Sequence, residues 1–255
     1  LINMKPNESK YHSYLALALE KKGWTAYAEE EFKNSLDINS EDALVLNLRK
    51  QLEKLNNYTF SDTEWEKFFT SEIANPNQGI EEKTSTLQEN EKKNLYGDDG
   101  KFKRNITLLD KGNIHNNTLQ VINQYSTEDG QRSNRYDVTV LVNGLPLVHI
   151  ELKRRGVAIQ EAFNQINRYQ RESFWAASGL FEYVQLFVIS NGTHTKYYSN
   201  TTRSQHIKES TEGAVKKGKR SSNSFEFTSW WADATNRPIT DLMDFAKTFF
   251  AKHTI

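Results

Sequence analysis

Apolar and polar residues alternate along Asp137-Val-Thr-Val-Leu-Val142, so Val138, Val140 and Val142 share one side and Asp137, Thr139 and Leu141 the other. A second run, Leu147-Val-His-Ile-Glu-Leu-Lys153, sets Val148, Ile150 and Leu152 against Leu147, His149, Glu151 and Lys153. Asn143-Gly144 between them signals a hairpin, with a two-residue loop or a three-residue loop as the options. A two-residue loop would pair Val138 with His149 and put Asp137 beside Ile150, mixing apolar and polar residues on both faces. A three-residue loop, Asn143 to Leu145, pairs Val138 with Ile150, Val140 with Val148 and Asp137 with Glu151. A slip of one residue moves every side chain to the other face, so the need to bury one apolar face selects the three-residue loop.

Helical spacing predicts further elements. Residues 8 to 22 carry Tyr11, Leu15 and Leu19 in line, with Gly23 as a C-terminal cap. Residues 41 to 56 carry Leu44, Leu48, Leu52 and Leu55. Ser61 and Glu64 form a capping box for a helix to about Ile73, stopped by Pro76. Residues 78 to 93 are polar and helical, and Gly97-Asp-Asp-Gly100 breaks the chain. Ile106–Leu109 and Leu119–Ile122 are predicted strands. Val157 to Phe174 is a helix with Ile159, Ala162, Phe163, Ile166 and Tyr169 on one side. Val184 to Ser190 is a strand apolar enough to be buried on both faces, and Thr195 to Tyr198 pairs with it after the Asn191-Gly192 turn. Pro238 opens a last helix to about Lys252.

This order predicts an α/β (α+β) fold, a mixed sheet flanked by helices with extra helices before it. The expected organisation is one domain over residues 1–255. It has a helical part over about 8–93, a core over about 104–202 and a C-terminal extension over about 203–255.

Composition narrows the class. Lys and Arg number 33, Asp and Glu 33, and the net charge is zero, unlike a domain that coats DNA by itself. Cys is absent, which excludes disulfides and thiolate metal sites. No apolar run is long enough to span a bilayer and no signal-peptide pattern opens the chain, so a cytoplasmic protein without membrane contact is expected. Residues 203–222, with Lys216-Lys-Gly-Lys-Arg220 at their centre, have the composition of a basic surface loop.

The hairpin carries the chemistry. Asp137 opposite Glu151 sets two carboxylates against each other, which is unfavourable unless a divalent cation lies between them. Carboxylates with a backbone carbonyl are the oxygen donors Mg²⁺ prefers. Lys153, two residues beyond Glu151, returns to the same face, near enough to serve a scissile phosphate. Glu-x-Lys alone is a weak motif, and an isolated instance is an ordinary solvated pair. Here the facing Asp, the apolar opposite side and the following helix agree with a site. On that helix Gln165 and Tyr169, four apart, project together, with Arg168 and Arg171 within a turn.

Asp, then Glu-x-Lys, then Gln-x-x-x-Tyr resembles the pattern of the PD-(D/E)XK nucleases of the RecB-like sort. RYDVTVLVNGLPLVHIELKRRGVAIQEAFNQINRY, LFVISNGTHTKYYSNTT and NSFEFTSWW are similar to the N-terminal nuclease domain of HsdR, the restriction (R) subunit of type I restriction-modification enzymes. The similarity runs from about Glu8 to the C-terminus and is densest from Arg135 to Thr202. The resemblance implies a restriction-endonuclease-like fold and Mg²⁺-dependent hydrolysis of double-stranded DNA. It implies Asp137 and Glu151 as metal ligands with the Leu152 carbonyl, Lys153 as the assistant of the attacking water, and Gln165 and Tyr169 in support. A further acid on the first helix matches Glu8, although the family often repeats acids where this chain has His12 and Tyr14. Arg154, Arg155 and Arg168 are the expected DNA contacts.

The resemblance also implies methylation (M) and specificity (S) subunits as partners, and an ATP-driven motor in the full-length subunit. No G-x-x-x-x-G-K-[ST] loop occurs in this chain, so ATP belongs to that motor. The alternatives are a non-catalytic DNA-binding or assembly module of the same fold, or another PD-(D/E)XK enzyme such as a repair or Holliday-junction nuclease.

Overall fold

The computed structural model describes Ala16 and residues 40–129, 132–172, 174, 179–201 and 223–251. The predicted helix over 8–22 lies outside these residues except for Ala16, which is helical and buried. Glu8 and the basic loop 203–222 lie outside them too.

From Ser40 on, three helices come first among the described residues. In α1 (Ser40–Asn56) the line of Leu44, Leu48 and Leu52 is fully buried, as its spacing requires. In α2 (Asp62–Phe68) Ser61 accepts from the Glu64 amide and the Glu64 side chain accepts from the Ser61 amide, the reciprocal box the sequence predicts. The helix continues as a π turn over Phe69–Ile73. The third, α3 (Ile80–Gln88), is shorter than the predicted 78–93. Its expected last turn is instead β1 (Lys92–Tyr96), paired antiparallel with β2 (Phe102–Thr107) in a small separate sheet. Strand β2 thus begins before the predicted 106–109. The Gly97–Gly100 break is the turn of this hairpin.

The main sheet has the order β3-β4-β5-β6-β7, with β3 at Leu119–Asp129, β4 at Arg132–Val142, β5 at Leu145–Leu152, β6 at Leu186–Ser190 and β7 at Thr195–Ser199. Only β5 and β6 run parallel, and α4 (Gln160–Glu172) crosses between them. The mixed sheet with flanking helices is the fold class the sequence predicts.

The hairpin turn corrects one expectation. Val142 pairs with Leu145, so the loop is two residues, not three. Asn143 and Gly144 both have positive φ, 50° and 85°, the combination a two-residue primed turn demands. Side chains elsewhere fix this geometry. The Thr118 amide donates to Asn143 Oδ1 at 2.8 Å, and Asn143 Nδ2 donates to the Leu108 carbonyl at 3.0 Å. A Cβ at Gly144 would lie 2.6 Å from Leu48 Cα, so α1 presses directly on the turn. The predicted register returns through a bulge. Leu141 pairs with Pro146 but Val140 with Val148, leaving Leu147 as the extra residue. Proline cannot donate to a ladder, which suits Pro146 to such an interruption. Val138 then pairs with Ile150 as expected.

Two cores result. On one face Val148, Ile150 and Val188 pack with Phe245 and Phe249 of α5 (Leu242–Phe249). This helix starts later than Pro238 because Asp241 caps it, accepting from the Met243 and Asp244 amides, while Pro238 bridges to Ala232. The other face, with Leu141, Leu145, Phe187 and Ile189, packs with Ala162, Phe163, Ile166 and Tyr169 of α4. Among the described residues no helix is long and apolar enough to cross a membrane.

Candidate active site

The predicted residues meet where the pairing of β4 with β5 ends, beside α4. The β4–β5 ladder stops at Val138↔Ile150, one step short of the expected Asp137–Glu151 pair. On the other side Gln124, with φ 53°, interrupts the pairing of β3 with β4 between Asn123↔Val138 and Tyr125↔Tyr136. In place of a backbone pair, Asp137 reaches across with its side chain, and Oδ2 accepts from the Leu152 amide at 2.8 Å. Asp137, Val138, Leu152, Lys153 and Arg154 of the hairpin, with Asn123 and Gln124 of β3, line an open cleft of about 430 Å³.

Glu151 is fully buried. Lys153 Nζ lies 3.2 Å from its Oε1 and also donates to Gln165 Oε1. Gln165 Nε2 donates in turn to the Tyr169 hydroxyl, which donates to the Arg135 carbonyl at 2.9 Å. The four-residue spacing on α4 therefore does what the sequence predicts, and the relay closes on the strand that carries Asp137. Backbone bonds hold the Lys153 end: its amide donates to the Ser190 carbonyl at 2.8 Å, and Asn191 Nδ2 donates to the Val157 carbonyl at 2.7 Å.

Burial pushes the Tyr169 hydroxyl above its ordinary pKa. The Gln165 bond opposes that shift, while negative charge on Glu151 and Asp137 adds to it. Both carboxylates therefore act on the same hydroxyl, which stays protonated and able to donate.

Among the described residues no three His, Asp or Glu side chains converge as a metal cage. Asp137 and Glu151 offer carboxylate oxygens, and hard donors of this kind fit Mg²⁺ better than a nitrogen-preferring metal. Glu151 points the same way, since its Oε2 is buried without a hydrogen bond.

Arg154 is exposed on the cleft, and Arg155 is exposed alongside Gly192 in the β6–β7 turn. Arg168 is exposed, its guanidinium 5.6 Å from the Tyr169 ring centre. The structure also brings in groups for which sequence reading gave no role: His149, the Arg135 carbonyl, Asn123 and Gln124. For His149 a signal existed, because it lies two residues before Glu151 on the same strand face. For the others only the interrupted pairing of β3 and β4 supplies one.

Residues 5–206 match the family model for the type I restriction enzyme R protein N terminus. The chain is 48% identical over 218 residues to the type I restriction enzyme EcoprrI endonuclease subunit of Escherichia coli, covering 86% of this chain and 64% of that protein. It is 38% identical over 220 residues to the SsaAORF53P endonuclease subunit of Staphylococcus saprophyticus, covering 84% of this chain and 21% of the relative. A putative endonuclease subunit of Methanocaldococcus jannaschii, MjaIXP, is 32% identical over 104 residues. The chain thus spans less than two thirds of these relatives. The match over most of its length nonetheless makes this chain a member of the type I restriction enzyme R protein N-terminus family.

Proposed function

We propose that this chain is the nuclease part of a type I restriction R subunit and hydrolyses phosphodiester bonds of double-stranded DNA with Mg²⁺. The observation that carries the reading is the unbroken relay from Glu151 through Lys153, Gln165 and Tyr169 to the strand of Asp137. A surface ion pair needs no such support, whereas a catalytic cation must be held in place.

Asp137, Glu151 and the Leu152 carbonyl are the groups to hold Mg²⁺, which when bound supplies Lewis acidity and a water of lowered pKa. The protein's own part is positional and electrostatic. Lys153 offsets negative charge growing on the phosphoryl oxygens, the chief source of acceleration in this chemistry. Gln165 holds the Lys153 ammonium toward Glu151, and the protonated Tyr169 anchors Gln165. Arg154, Arg155 and Arg168 neutralise DNA phosphates, with little demand on geometry and no base reading. A formally neutral chain binds DNA weakly by itself, which suits delivery of the substrate by an ATP-driven motor and by M and S subunits in the cytoplasm.

The test is cleavage of circular DNA by the assembled complex with ATP and Mg²⁺, comparing wild type with Asp137→Ala. Loss of cleavage with ATP hydrolysis retained supports the reading. Undiminished cleavage overturns it and favours a non-catalytic module of the same fold.

A further inference from the structure

Behind Glu151 lies His149, wholly buried and given no part in the chemistry above. Two residues apart on β5, the two side chains fall on one face. Nε2 of His149 is 3.4 Å from Oε2 of Glu151. The ring is boxed in by aromatic edges, with centroid separations of 5.5 Å to Tyr136, 6.1 Å to Tyr169, 5.6 Å to Phe174 and 6.4 Å to Phe187. Neither imidazole nitrogen has a hydrogen-bond partner, and neither does Oε2.

Unsatisfied polar atoms are rare in protein interiors, and three gathered at one point call for a common reason. A core position filled only for packing is served better by Phe or Leu, which bring no polar atom to desolvate. At 3.4 Å the two atoms are within reach of each other without forming a hydrogen bond. Hydrogen bonds of catalytic groups are often long in unliganded sites and tighten when the site is occupied. The two oxygens of Glu151 also face different neighbours, Oε1 toward Lys153 and Oε2 toward His149.

We propose that His149 is a positioning residue for Glu151: the imidazole donates its Nε2–H to Oε2 and fixes the rotation of the carboxylate that would hold the metal. The proposal rests on the reading of Glu151 as a metal-holding acid. Groups that orient a metal ligand from behind normally donate to it in this way.

Four variants of the full-length subunit test it, with Mn²⁺ binding measured by calorimetry and DNA cleavage measured in the assembled complex. His149→Phe keeps the aromatic packing and removes the donor. His149→Gln places an amide N–H near the former Nε2, whereas His149→Asn places one near Nδ1. Removing an orienting partner commonly costs about 10- to 100-fold in metal affinity, and the Phe variant is expected in that range with a matching fall in cleavage. The Gln variant is expected to recover most of both, the Asn variant neither.

Wild-type Mn²⁺ affinity in a folded Phe variant overturns the proposal. So do equal affinities in the Gln and Asn variants, a comparison that stands even if the Phe variant fails to fold. Glu151→Gln separates the underlying reading. If it binds Mn²⁺ as wild type does, the metal assignment itself falls and the role of His149 with it. If it loses Mn²⁺ while His149→Phe retains it, only the role of His149 falls.

Discussion

Lys83 with Glu182 and Lys153 with Glu151 are both lysine–glutamate pairs set into the interior, yet their surroundings differ. Lys83 on α3 has a side chain 2% exposed and Glu182, in the turn before β6, one 10% exposed. Lys83 also donates to the Gly179 carbonyl at 3.2 Å and lies 5.4 Å from the centre of the Tyr183 ring. That pair joins two segments and leaves its cation fully occupied. In the other pair Glu151 is buried but Lys153 is 20% exposed at the cleft, and one oxygen of Glu151 has no hydrogen bond. A satisfied pair is a fastening. An unsatisfied pair that opens on a cleft beside a second carboxylate has capacity left for a ligand. A third pair, Lys103 with Glu64 at 2.5 Å, is open on one side, with Lys103 48% exposed and Glu64 buried.

The largest expected effect separates the first two pairs by activity. Glu151→Gln is predicted to lower cleavage by the assembled complex on the order of a thousandfold, the scale seen when one electrostatic element of a site is lost. Its melting temperature should hold or rise, because a buried carboxylate is replaced by a neutral group of the same shape. A parallel scan of cleavage rate and thermal unfolding checks both halves, and a large loss of stability would make Glu151 a fastening after all.

Lys83→Met should behave in the opposite way. Leaving the buried Glu182 charge unpaired is expected to cost about 3–5 kcal/mol of stability. Cleavage per folded molecule should stay as in wild type. Urea titration gives the first quantity and active-fraction assays the second.

Gln165→Leu probes the support of the second pair. The substitution removes the acceptor of Lys153 while keeping most of the side-chain bulk on α4. Cleavage is expected to fall by about 10- to 100-fold, the usual cost of losing an orienting group, with Mn²⁺ affinity changing less. Equal losses in both would place Gln165 among the groups that hold the metal.

The pair with the exposed lysine should give the smallest effect. The Lys103 hydrogen bond holds the Glu64 carboxyl down at about 2, with help from the Ser61 amide and Tyr58. A depressed carboxyl contributes stability that is present above its unfolded value near 4.5 and is lost as pH falls toward 2. Lys103→Ala should therefore lower stability at pH 7, with the difference from wild type shrinking in acid. Unfolding curves at pH 7, 4 and 2.5 decide it.

Much of the site was legible because it is local. Alternation along β4 and β5, two-residue spacing from Glu151 to Lys153, and four-residue spacing from Gln165 to Tyr169 each fix a face without knowledge of the rest of the chain. The capping box at Ser61 and the buried line of α1 are local in the same sense. The turn was misjudged because face consistency specifies the register only beyond the bulge at Leu147. It leaves open whether an extra residue sits in the loop or in the strand. Strand β1 was hidden in a polar stretch that gives no clear period of either kind.

The sequence by itself determined which residues share a face, which helix follows the active strand, and the family to which the chain belongs. Tertiary structure decided what those faces meet. Asn143 is locked by Leu108 and Thr118, which lie far from it along the chain, and α1 closes on Gly144. Glu151 is buried on the sheet face that α4 covers, and Lys153 remains accessible at the cleft where the pairing of β4 with β5 has ended. Lys83 and Glu182 are 99 residues apart, and no spacing rule connects them. Burial and pairing across such distances depend on where whole elements pack. Two glutamates that look alike in the sequence therefore come to have different work.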